Sequence, residues 1–125
     1  MNTKPGIAFA LMLSITISSL LSSRAMAESD NVQQMANIVI QLNHHPGKQD
    51  KQVLNNIVEQ GSSAERSIAS ALLKMEHKVS PRDKARLVEI SKDNELPNKT
   101  RELAMIVSKI NHQASASDKQ KLRGM

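Results

Sequence analysis

Four histidines, His44, His45, His77 and His112, are the residues of this chain best suited to ligand or proton chemistry. Three of them recur at steps of 33 and 35 residues, and each opens a similar stretch. These read H-H-P-G-K-Q-D-K-Q-V-L from His44, H-K-V-S-P-R-D-K-A-R-L from His77 and H-Q-A-S-A-S-D-K-Q-K-L from His112. Imidazoles ligate a transition metal when all of them reach one ion at about 2 Å. The recurring Asp50, Asp83 and Asp118 are of the type that serves as a catalytic acid. Both sets also have a purely structural account. Each His follows a helical pattern, where orphan carbonyls and the negative end of the helix dipole favour a donor or a cation. Each Asp falls at the third position of the next helix, where a carboxylate suits the positive end and completes a capping box.

Three segments precede the histidines: M-A-N-I-V-I-Q-L-N-H (35–44), I-A-S-A-L-L-K-M-E-H (68–77) and L-A-M-I-V-S-K-I-N-H (103–112). Apolar residues occupy relative positions 1, 4, 5 and 8 in each, the stripe of an amphipathic helix and not the alternation of a strand. Ala36, Ala69 and Ala104 stand at position 2, where a small side chain lets neighbouring helices approach. A shorter second helix follows each histidine. Ser80 is the expected N-cap of the middle copy, with Pro81 at the first helical position. Ser115 repeats the cap in the third copy, and Gly47 replaces it in the first. Leu54, Leu87 and Leu122, followed by Ile57, Ile90 and Met125, form the expected apolar face of the second helices. Asn98-Lys99-Thr100 matches a glycosylation pattern, but as the start of the helix before His112 it needs no such role.

The expected fold is therefore all-α: about three helical hairpins with a period of 33–35 residues, stacked as a short right-handed array, or else a compact six-helix bundle. The repeat units run approximately 30–60, 64–94 and 97–125. The period resembles that of tetratricopeptide repeats, and stacked hairpins look like HEAT or armadillo arrangements. The Trp, Tyr and Phe of the tetratricopeptide signature are missing here, so no family is assigned. In a stacked array, equivalent positions on neighbouring helices sit roughly 8–10 Å apart. The histidines are then expected as a ladder and not as a metal cage.

Residues 1–27 have the order of a cleaved secretory signal peptide: Lys4, an apolar run from Ile7 to Leu21, then Ala25-Met26-Ala27. Residues 28–125 would form a single all-helical domain with no transmembrane segment, periplasmic or secreted beyond it. The chain contains no cysteine, and its one aromatic residue, Phe9, lies in that leader. An exported domain of this kind has to hold by aliphatic packing without disulfides.

No catalytic, cofactor or metal residue is expected, and neither is enzymatic activity. There is no H-E-x-x-H, no glycine-rich phosphate loop and no G-x-S-x-G elbow. Charge is more informative. The stretches 44–54, 77–87 and 112–125 together carry a net +6, which leaves −3 for the rest of residues 28–125. A repeat would align these turns as a basic ridge, with Lys51, Lys84, Arg86, Lys119 and Lys121 as candidate partner-binding residues. The expected function is a non-catalytic binding or interaction module, its partner another protein or an anionic envelope component. A periplasmic stress or chaperone-like protein and a secreted host-interaction factor are the alternatives. Nucleic acid is not expected, because no aromatic side chains are available for base stacking.

Overall fold

A computed structural model describes residues 30–125, and among them the chain forms six α-helices and no strand. They are α1 (30–41), α2 (Lys48–Gln60), α3 (Ser63–Lys74), α4 (Pro81–Lys92), α5 (Asn98–Ser108) and α6 (Ala116–Arg123). The all-helical expectation is met. The expected signal peptide lies outside the described residues. No helix among the described residues is long and apolar enough to cross a membrane.

The three apolar stripes form the interior. Met35, Ile38, Val39 and Leu42 are buried from the first copy, Ile68, Ala71, Leu72 and Met75 from the second, and Leu103, Ile106, Val107 and Ile110 from the third. Ala36, Ala69 and Ala104 are buried beside them, as close helix approach requires. Leu54, Ile57, Leu87 and Leu122 complete the same core from the second helices, while Ile90 and Met125 pack half-buried at its margin. One further position of the repeat is buried in all three copies: Pro46, Val79 and Ala114, each two residues past its histidine. These side chains plug the core beneath the turns.

The expected serine caps form at Ser80 and Ser115, and Ser62, read as part of a link, is a third. The Ser62, Ser80 and Ser115 hydroxyls accept the backbone N–H groups of Glu65, Asp83 and Asp118 at 3.4, 3.2 and 3.1 Å. The third-position aspartates divide into two kinds. Asp50 reaches back to the Gly47 N–H at 3.3 Å. Asp83 and Asp118 turn instead to Lys74 and Lys109, at 3.5 and 3.6 Å. Those lysines sit three residues before His77 and His112, whereas the equivalent position in the first copy is the uncharged Gln41. With no cation opposite, Asp50 keeps its local role. The helix preceding His112 starts at Asn98, behind Pro97, and ends at Ser108, so its first turn is earlier than its apolar stripe suggests.

Packing across the His77 turn, between α3 and α4, is limited. Extended side-by-side packing occurs between α2 and α3 and between α4 and α5, across the links that separate the sequence repeats. Gly61 shows why the first of these links is tight. A β-carbon there would lie 2.6 Å from the Ile57 carbonyl oxygen and 3.2 Å from Cβ of Glu65. Glu65 is itself fully buried, and its Oε1 accepts from Ser62 N–H at 3.1 Å and from Asn31 Nδ2 at 2.9 Å, which ties α1 to the start of α3.

Two substitutions test this account. Gly61→Ala should destabilise the fold by about 1–3 kcal/mol through overpacking, and Glu65→Ala by about 1–3 kcal/mol through loss of the capping box and the Asn31 contact. Urea unfolding followed by circular dichroism measures both. A loss under about 0.5 kcal/mol, the range of an ordinary surface change, would contradict the close approach at Gly61 or the tie at Glu65.

Candidate functional site

The three histidine turns meet at one pole of the bundle. The His44 N–H donates to the His112 carbonyl at 2.7 Å, and the His112 N–H donates to the His77 carbonyl at 2.6 Å. Lys78 and Asn111 form a single antiparallel bridge across the same junction. The first unit thus touches the third as directly as the third touches the second. Of the two arrangements expected from the repeat, this closure is that of the compact six-helix bundle.

Closure changes the geometry of the histidines. Ring centroids are separated by 5.3 Å for His44 and His77, 4.9 Å for His44 and His112, and 5.1 Å for His77 and His112. The expected ladder is not what forms. Its spacing assumed that helix packing sets the distance between equivalent residues, whereas here the turns are hydrogen-bonded to one another through their backbones. The rings form a nearly equilateral, solvent-exposed triangle. His45 stands outside it, its Nδ1 lying 3.2 Å from the Pro46 carbonyl oxygen.

The helix-end account of the histidines also needs correcting. The helices end at residue 41, at Lys74 and at Ser108, three or four residues before the histidines. The N–H groups of His44 and His112 satisfy neighbouring turns and not the helix they follow. Both residues have left-handed backbones, with φ of 70° and 67°. At His44 the His45 N–H closes onto the Asn43 carbonyl at 2.9 Å, a three-residue closure of γ-turn type. Glycine adopts such angles freely, whereas a side chain there costs roughly 1–2 kcal/mol. Two positions that backbone geometry alone would assign to glycine are therefore filled by imidazoles that face each other.

The candidate cations are distributed differently. Lys51 is exposed and lines a surface cavity with His45, Lys74, Glu76 and His77, next to the histidine triangle. Lys119 is half-buried and donates to Oε1 of Gln113, on the third turn, at 3.2 Å. Lys84 and Lys121 are exposed on α4 and α6. Arg86 lines a different feature, a groove of about 660 Å³ between α3 and α4, and its Nε donates to the Ser67 hydroxyl at 3.0 Å. Arg66, Lys74 and Arg82 line that groove as well, with the hydroxyls of Ser63, Ser67, Ser70 and Ser80. Asp83, the one acidic residue lining it, is already paired with Lys74. Past Arg86 the surface turns acidic at Glu89 and Asp93, which bounds the positive stretch.

Arg66 and the α3 serines were not picked out from the sequence, although a signal was present. Ser63, Arg66, Ser67, Ser70 and Lys74 recur at helical spacing as the polar complement of the α3 apolar stripe.

The strained backbone predicts an asymmetric response to substitution. His112→Gly should keep or raise the metal-free melting temperature, and His112→Val should lower it by about 4–8 °C for each kcal/mol lost. Thermal unfolding in chelator checks this, and equal losses for both would contradict the left-handed assignment. No protein-family model, curated protein or solved structure matches this chain.

Proposed function

We propose that this is a small exported, non-catalytic binding module that takes anionic groups of an envelope component or a partner protein in the α3–α4 groove. One observation carries the proposal: three guanidinium groups and four serine hydroxyls line one groove whose only carboxylate is already paired with Lys74. Guanidinium groups bind phosphate and carboxylate oxygens in bidentate fashion, and serine hydroxyls add donors that adapt to the ligand. Export is supported by the leader-like order of residues 1–27. An apolar client groove of the chaperone type would need exposed large apolar side chains. Among the described residues Met105, 37 % exposed, is the only one.

The expected basic ridge and the groove make different predictions for the same assay. Arg66→Gln, Arg82→Gln and Arg86→Gln combined should reduce binding to vesicles of anionic phospholipid by about tenfold or more, a loss of roughly 1.4 kcal/mol or greater. Lys51→Gln, Lys84→Gln, Lys119→Gln and Lys121→Gln combined should reduce it by less than about threefold, as expected of solvated cations. Cosedimentation at two salt concentrations measures both sets. A larger loss from the lysine set would move the binding surface to the turns, and no binding by the intact chain would remove the proposal.

A further inference from the structure

We propose that His44, His77 and His112 form a binding site for a late first-row divalent metal ion, Zn²⁺ or Cu²⁺, at the pole where the three turns meet. The potential ligand nitrogens of the three imidazoles lie within 4.8 Å of one another. Three nitrogens bound at about 2.0–2.1 Å in a tetrahedral sphere lie roughly 3.3 Å apart. The nitrogens therefore have to close by up to about 1.5 Å, within the range of χ1 and χ2 adjustments on exposed side chains. The backbones of His44, His112 and His77 are already linked in series by hydrogen bonds of 2.7 and 2.6 Å.

Residue type adds an argument independent of distance. The turn geometry at His44 and His112 favours glycine, and nothing in the capping of the flanking helices uses either imidazole. The chain nonetheless places an imidazole at each, and a third at His77, where φ is not positive. Imidazole nitrogen suits zinc and copper, while magnesium and calcium prefer oxygen ligands. Three protein ligands on an open surface leave a coordination position for water or for a donor from another molecule. The site lies apart from the α3–α4 groove, which none of the three histidines lines, so the two proposals stand or fall separately.

The test is calorimetric titration of the untagged chain with ZnCl₂, CuCl₂ and MgCl₂. Intact protein should take up one zinc or copper ion with a dissociation constant below about 100 µM, that is, more than about 5 kcal/mol of binding free energy, and no magnesium. His77→Ala should weaken binding by about tenfold or more, and adding His44→Gly and His112→Gly should abolish it. Both glycine substitutions suit the left-handed backbone, so the triple variant should stay helical by circular dichroism. His45→Ala should bind within about twofold of the intact chain, since ordinary surface changes carry little energy. Saturating zinc should raise the melting temperature of the intact chain and not that of the triple variant. The proposal is overturned by an intact chain that binds no zinc or copper, by undiminished binding in the folded triple variant, or by a loss in His45→Ala as large as in His77→Ala.

Discussion

Three helices, each with a short aliphatic stripe and an alanine beside it, have to share one interior. The described chain has no Phe, Tyr or Trp and no disulfide to strengthen that interior. Buried area per residue is modest when the core is Leu, Ile, Val, Met and Ala, so the stabilisation available comes from how completely the stripes are enclosed. All twelve stripe positions are buried, and so are the three alanines. An open array would leave its terminal units with one face uncovered. Closing the first unit against the third removes that face, and the remaining features follow from this closure.

The most direct consequence is at the pole. Once the units close on one another, the segments joining their helices converge, and their polar backbone groups need partners. Two of these N–H groups find the carbonyl of an adjacent turn, which brings three imidazoles to within about van der Waals contact distance of one another, their centroids 4.9–5.3 Å apart. Left-handed backbone at His44 and His112 is part of the same solution, since it re-aims the chain between a helix end and the next cap within a few residues. Pro46, Val79 and Ala114 then fill the space directly below the turns. Ligand geometry, strain and core packing at this end of the molecule are thus one arrangement.

Electrostatics combines a turn segment with a helix face. Of the cations lining a common concavity, Arg82 and Arg86 come from the basic 77–87 stretch, and the facing surface of α3 adds Arg66 and Lys74. Lys74 and Lys109 each spend part of their charge on a capping aspartate of the following helix. The pair at Asp83 removes the groove's one carboxylate from competition with an anionic ligand.

Helix type, helix number, the buried stripes and the serine caps were all legible in the sequence, because each depends on spacing within about one or two turns of chain. Periodicity decides which face is apolar, and a hydroxyl three residues before an orphan N–H decides where a helix begins. The alanines at close contacts were legible for the same reason, and so was the role of the Leu positions after each histidine. Which faces become neighbours was not. The convergence of His44, His77 and His112 depends on contacts across 33 to 68 residues of chain, and no local pattern distinguishes three stacked units from three that close. The α3 serines and Arg66 were visible as a polar stripe, but a stripe becomes a groove only when a second helix lies beside it. The sequence by itself determined the helices and what each must bury. The tertiary structure alone decided which turns meet, because closing the units buries a face that the isolated repeat leaves open.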